Sequence, residues 1–355
     1  MKTASTFKLV LVAAAAALCG SAATAQKITV TSWGGAYTKS QIAAMHEPFS
    51  KATGVKVLSE DYNGGLAEIR AQVKTGNVKW DVVDVELAEA IRGCEEGLFE
   101  KIDASKLPKG ADGSDAKADF LPGMVNDCAI ANISYANVVA FDRAKYASNP
   151  PSRLEDFFDL QKYPGKRGMK KEPNVNLEWA LMADGVPAAD VYKVLSTPAG
   201  VDRAFRKLDT IKSQIVWWSA GAQPPQLLAS GEVAMTSVFH GRIFNANKDD
   251  KRNFAVVWDG QIIVPDLFVV MKGTKNAKAA MDFVMFSTGT KPLADQTKFI
   301  PYAPARKSSL ALVEAATKPW LPGPAQAGRG FMTNAAWWAD KADELNQRFA
   351  AWAAR

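Results

Sequence analysis

The chain has 355 residues, 48% of them hydrophobic, with 43 Lys and Arg against 37 Asp and Glu and a formal charge of +6. The basic excess is small and scattered among acids, and the tryptophans are not interleaved with a basic stripe, which argues against a nucleic-acid groove. Two histidines supply a zinc site poorly, and beyond the N-terminus no stretch approaches the roughly 18 uncharged apolar residues of a membrane helix.

Residues 1–25 place Lys2 and Lys8 before the apolar run LVLVAAAAALCG and the small-residue stretch ATA ahead of Gln26. This is the three-part pattern of a secretory signal peptide. Its removal lowers the charge of +6 by two, to +4, and takes Cys19 with it. Bulky Leu18 before Cys19 fits a lipid-anchor site poorly, whereas Ala23 and Ala25 fit ordinary cleavage. The exported chain keeps Cys94 and Cys128, which an oxidising compartment would join as a disulfide. A catalytic thiol working with His46 or His240 is the competing reading, but neither histidine sits in a nucleophile motif. About 330 residues remain, more than one core usually organises, so two lobes are expected.

In chain order, KITVTSW reads as a strand, SQIAAMHEPFSKATG as an amphipathic helix stopped by Gly54, and VKVLSE as a second strand. A helix over GLAEIRAQVKTG then precedes the strand run WDVVDVE. This alternation predicts an α/β fold with a parallel sheet, whose sites form beyond the carboxyl ends of the strands. Trp33 and Tyr37 after the first strand, and Glu86 after the third, fall at such ends. ISYANVVAFDRAKY is expected to cross from one unit to the other. A second block follows: a helix and strand in LEDFFDLQKYPGKRGMK, helices at LEWALMADG and AGVDRAFRKLDTIKSQ, and a strand, helix, strand and helix from Ile215 to Asp250. FAVVWDGQIIVPDLFVVMKGT reads as the return crossing, broken near Pro265, and the aromatic tail from Asn334 as a terminal helix. Adjacent Trp217 and Trp218 face opposite sides of a strand, so one packs in the core while the other, taken as Trp218, reaches toward a site. Trp337 and Trp338 are expected to anchor the last helix.

The motifs WGGAY, YNGGLAEIRAQV, WDVVDVE, RGCEEGLFEKID, LEDFFDLQKYPGKRG, SGEVAMTSVFHGR, WDGQ followed by PDLFVV, and IPYAPAR, in that order, resemble those of periplasmic solute-binding proteins of the spermidine/putrescine type. The resemblance covers nearly all of the chain after the leader. It implies a periplasmic-binding-protein type II fold, with lobes at 26–135 plus 266–312 and at 136–265 plus 313–355 hinged by two crossing segments. It also implies no enzymatic activity, no cofactor and no metal, a location in the periplasm, a monomer, and an inner-membrane ABC permease as partner. The family's cleft is a box of rings with acids that hold ammonium groups. By position, Trp33, Tyr37, Phe239 and Tyr302 match rings, while Glu86 and Asp266 match polar and acidic contacts. Val264 stands where an aromatic is frequent, and only Glu172 lies close to the place of a second amine-binding acid. The ligand so implied is a small cationic amine such as putrescine or spermidine.

Each assignment has a plainer counterpart: Trp33 and Phe239 as core rings, Asp266 as a turn cap beside Pro265, Glu86 as one solvated acid among several. His240 has no assigned role. Arg203 and Arg206 lie in a helical stretch that reads as a solvated face. Arg242, after Gly241, is the better-placed carboxylate clamp, and an arginine in the cleft would change the ligand to an amino acid such as γ-aminobutyrate. An exported hydrolase is disfavoured by the lack of a G-x-S-x-G elbow, an H-E-x-x-H helix or a cysteine–histidine pair. A sensor or adhesion protein built on the same lobes remains open.

Overall fold

The computed structural model describes residues 26–326 and 328–355; the leader expected over residues 1–25 lies outside them. The strands are β1 (Lys27–Ser32), β2 (Lys56–Asp61), β3 (Val82–Glu86), β4 (Ala129–Asp142), β5 (Arg167–Lys170), β6 (Ile215–Trp218), β7 (Met235–Phe239), β8 (Phe254–Val270), β9 (Ala303–Pro304) and β10 (Gly330–Met332). They form one sheet in the order β2-β1-β3-β8-β4-β7-β5-β6, with β10 on β8 and β9 on β4. β1 is parallel to β2 and β3, as the alternation of the first block predicts. The sheet as a whole is mixed, because β8 runs antiparallel to both β3 and β4. The two longest strands travel in opposite senses between the two ends of the sheet, so their neighbours cannot all be parallel.

Those two strands give the molecule its two halves. The carboxyl end of β8 joins β1 to β3 over a core that includes Ile28, Val30, Val85, Phe268 and Phe283. The amino end of β8 lies with β4 beside a second core that includes Leu154, Phe157, Trp179, Leu181 and Ile262. Along β4 the two-residue period of a strand sends Ile133, Tyr135, Val139 and Phe141 to that core, and Ala136, Val138 and Ala140 to a smaller cluster on the opposite face. β8 is not broken near Pro265, contrary to the sequence reading. The proline is paired in register with Ser134 inside a continuous strand, close to a register shift between Ala131 and Ile133 of β4. An irregular ladder tolerates a residue that has no N–H to donate.

The first helical stretch is continuous but changes pitch. It runs as α-helix over Gly35–Gln41, as a π-turn over Ile42–His46 and again as α-helix over Glu47–Thr53. Pro48 near its second start lacks a donor, and the ladder widens just before it. The terminal helix Ala335–Ala353 is anchored as expected: Trp338 Nε1 donates to Glu178 at 2.6 Å and Trp337 Nε1 to Ser196 Oγ at 2.9 Å.

A buried carboxylate fixes the end of the first unit. Asp84 Oδ2 accepts from Tyr37 Oη at 2.8 Å, Gln41 Nε2 at 2.5 Å, Asn132 Nδ2 at 3.0 Å and Ser32 Oγ at 3.3 Å. One oxygen therefore ties β1, β3, β4 and the first helix together. Burial pushes the Asp84 carboxyl up to about 7, against the pull of those four donors. Cys94, on the helix Leu87–Glu95, and Cys128, just before β4, are joined as a disulfide with Cα atoms 5.8 Å apart.

Asp84→Ala strands these buried donors and is expected to lower stability by about 3 kcal/mol, measured as a shift in urea midpoint at unchanged slope. Asp84→Asn, which keeps an acceptor oxygen and removes the buried charge, is expected to cost less than half of that. Replacing both cysteines by serine frees a chain loop of 34 residues. In the chain-entropy treatment this loses about 3–4 kcal/mol, and the wild type in reductant should match the variant.

Candidate ligand-binding site

The WGG turn after β1 opens the site. Gly34 and Gly35 have φ of 69° and 59°, and a Cβ on Gly35 would stand 2.7 Å from Arg242 Nη1. Positive φ and this close approach both require glycine. Arg242, from the helix His240–Asp249, uses the room to donate to the Gly34 carbonyl at 2.7 Å and the Trp33 carbonyl at 3.1 Å. The turn leaves Trp33 against Tyr62, with ring centroids 5.1 Å apart, and starts the helix that carries Tyr37.

From Tyr37 a chain of rings crosses between the halves. Tyr37 and Tyr302 lie 5.3 Å apart, Tyr302 and Tyr135 5.8 Å, Tyr135 and Phe239 4.8 Å, and Phe239 and Trp218 5.6 Å. Tilted and edge-on contacts of this kind are the favoured ring geometries. Tyr37, Trp218, Phe239 and Tyr302 are buried, and Trp33 is half-buried. Trp217 faces the other way, onto Phe349 and Trp352 of the terminal helix, as strand alternation requires. Tyr135 is the cross-strand partner of Val264, so the ring that the sequence lacks at residue 264 is supplied by the neighbouring strand.

The acids gather on one side. Glu86 and Asp266 are cross-strand partners on β3 and β8. Glu86 accepts the Tyr135 hydroxyl at 2.7 Å, and Glu89 accepts the Gly65 N–H at 2.6 Å. Burial, followed by the like charges of Asp84, Glu86 and Glu89, holds the Asp266 carboxyl well above the usual carboxylate range. Burial and Glu86 push Glu89 up to about 7. Asp266 Oδ1, Arg242 Nε, Trp33 Nε1 and Trp218 Nε1 are buried with no hydrogen-bond partner among the described residues.

Of the residues named from sequence, Tyr37, Phe239, Tyr302 and Trp218 belong to the chain of rings, Trp33 packs on Tyr62, Asp266 and Glu86 lie on the acidic side, and Arg242 borders the rings. His240 is committed to backbone: its Nδ1 accepts the Ala136 N–H at 3.1 Å and its Nε2 lies 2.8 Å from the Pro301 carbonyl. Burial lowers its imidazole to about 4, so it is a neutral brace behind Tyr302. Arg203 pairs with Asp184 at 2.6 Å on the surface, as expected of a solvated face. Sequence reasoning missed Asp84, Tyr62, Tyr135 and Lys170. Asp84, an acid inside a strand buried on both faces, and Tyr135, a ring with a hydroxyl in the middle of a long buried crossing strand, carried readable signals.

Comparison with known proteins follows the same lines. Residues 44–323 match the family described as bacterial extracellular solute-binding protein. The chain is 42% identical over 334 residues to the "Gamma-aminobutyric acid-binding protein" of Pseudomonas aeruginosa, covering 94% of this chain and 92% of that one. A crystal structure of MotA from A. tumefaciens B6 in complex with glucopine superposes with a TM-score of 0.85 at 29% identity, covering 92% of this chain and 100% of that one. A structure described as the "Atu4243-GABA receptor" gives 0.79 at 36% identity, covering 93% and 98%. The mixed sheet with its two crossing strands is the type II periplasmic-binding-protein fold that these structures share. The chain belongs to the bacterial extracellular solute-binding proteins, and is the non-enzymatic, substrate-binding component of an ABC importer.

Proposed function

We propose that the ligand is a short ω-amino acid of the γ-aminobutyrate type, held in the periplasm by a monomer and delivered to an inner-membrane permease. The carrying observation is that Asp266 and Arg242, an acid and a base both buried beside one set of rings, each keep an unpartnered polar atom, Oδ1 and Nε. Asp266 takes the ammonium and Arg242 the carboxylate, while Tyr37, Tyr302, Tyr135 and Phe239 enclose the methylene chain. Trp33 and Trp218 close the ends, and Glu86, locked to Tyr135, shapes the acidic side. The named binding activities of the two γ-aminobutyrate relatives support this choice. The polyamine expected from the sequence resemblance has less support, because the guanidinium beside Tyr302 and Gly34 repels a second ammonium.

The binding free energy is of a reachable size. Micromolar affinity needs about 8 kcal/mol, and ring contacts to an ammonium supply about 0.5–2 kcal/mol each. The rest comes from the two charge pairs, which are strengthened as closure excludes water. The lobes are proposed as 26–135 plus 266–312 and 136–265 plus 313–355. The junctions then fall at Tyr135 of β4 and Asp266 of β8, two residues of the site itself. Closure and binding are in this reading one event.

Titration calorimetry with γ-aminobutyrate, putrescine, spermidine and 2-aminoethylphosphonate tests the reading, and heat from polyamines alone would refute it. Asp266→Asn and Arg242→Met should each weaken γ-aminobutyrate by ~2–5 kcal/mol, with wild-type thermal unfolding as the control for folding. Affinity should also depend on pH in a defined sense. The ligand amine stays charged to about pH 10, whereas Asp266 is held protonated by burial and by Asp84, Glu86 and Glu89, against the opposing charge of Lys170. Binding then requires the carboxylate and releases up to about one proton. The affinity should rise with pH through the range in which Asp266 gives up its proton, and the heat should vary with buffer ionisation enthalpy. Both effects should shrink in Asp266→Asn.

A further inference from the structure

One cation in the gap is not used by the ligand contacts above. Lys170 is the last residue of β5, in register with Trp218. Its Nζ lies 2.9 Å from Glu172 Oε2, 5.6 Å from the ring centroid of Trp33 and 5.7 Å from that of Phe239. Trp33 follows β1 and Phe239 ends β7, so the ammonium is inserted between rings from opposite halves. Its side chain is 13% exposed, and the charges of Glu86 and Glu89 also act on it. Two ring faces and several carboxylates are what a bound alkylammonium requires, and here the protein fills that environment with its own.

The loop behind Lys170 is built under strain. Val175 adopts φ 69° and ψ −44°, a positive-φ conformation that a β-branched side chain rarely accepts. Such residues cost about 1–3 kcal/mol and persist where the surroundings impose them. This loop carries Glu172 onto Lys170 and brings Asn174 Nδ2 to 3.4 Å from Glu86 Oε2. The same strained segment therefore positions both the partner of the lysine and a second contact to the acidic side.

We infer that Lys170 restricts the cleft to ligands with a single ammonium: its Nζ, seated between Trp33 and Phe239 against Glu172, occupies the acidic end and leaves Asp266 as the place for the ligand's. The inference rests on the ω-amino acid reading. A diamine with one end on Asp266 directs its other end toward Arg242 or toward Lys170, and meets a like charge either way. Charge juxtapositions of this kind cost several kcal/mol. Lys170 is thus a specificity residue that need not touch the correct ligand's carboxylate.

The test is calorimetry of the full-length exported protein with γ-aminobutyrate and with putrescine, in wild type, Lys170→Met and Lys170→Gln. Removing the ammonium should tighten putrescine at least about tenfold while γ-aminobutyrate changes by less than about threefold, and adding Glu172→Gln should abolish the gain. An unchanged ratio of the two affinities overturns the inference. So does a loss of γ-aminobutyrate binding of about a hundredfold, which would make Lys170 a carboxylate contact. If the wild type binds no ω-amino acid, the functional reading fails, yet a putrescine gain in the variants still upholds the lysine as the excluding group. A crystal structure of the wild type soaked with γ-aminobutyrate gives an answer free of any variant's folding. Lys170 Nζ remaining on Glu172 supports the inference, and Nζ bonded to the ligand overturns it.

Discussion

The geometry of the site depends on one oxygen. Asp84 Oδ2 collects four donors from β1, β4 and the first helix while standing on β3, and with them it sets the angle at which the first helix leaves the sheet. Tyr37 is therefore held by its hydroxyl, and its ring is presented to Tyr302 with little rotational freedom. The same carboxylate stands near Asp266 and, after burial, is the first of the like charges that raise the proton affinity of that acid. A structural anchor and the tuning of a binding group are thus one interaction. Buried carboxylates are costly unless fully bonded, and Asp84 is bonded on one oxygen only, so its four donors do not offset the burial that raises its proton affinity.

Around that anchor the gap is organised by charge as much as by rings. Asp84, Glu86, Glu89, Glu172 and Asp266 face two cations, Lys170 and Arg242, and the cations are engaged differently. Arg242 reaches across to backbone carbonyls of the WGG turn, which are neutral acceptors that a carboxylate can outcompete. Lys170 is paired with a full carboxylate and flanked by two rings. The first is an exchangeable contact and the second a fixture. In the proposed reading the difference separates a residue that receives a ligand from one that shapes the space left to it.

Much of this was legible in the sequence because the first block has clean periods. KITVTSW, VKVLSE and WDVVDVE became β1, β2 and β3, and the strand ends carried Trp33, Tyr37 and Glu86 where open α/β sheets place their sites. The mixed sheet was not legible, since the direction of a strand is not written in its own composition. It follows from β4 and β8 returning past each other. Pro265 misled for a local reason: the ladder beside it is irregular, and pattern rules assume a regular one. Lys170 escaped notice because a lysine at a strand end reads as solvated; the approach of Trp33 and Phe239 from far along the chain encloses it. Asp84 and Tyr135 were within reach, being groups with polar atoms inside strands that are buried almost throughout.

Outside the gap, Arg92 on the helix Leu87–Glu95 pairs with Asp343 on the terminal helix, and also with Glu96, which in turn holds Arg70. The halves are also joined by a ribbon of two hydrogen-bonded strands, β4 and β8. Two strands bonded rung by rung bend together, so a swing of one half against the other would be taken up where the ladder is already irregular, at the register shifts between Ala131 and Ile133 and between Asn137 and Val139.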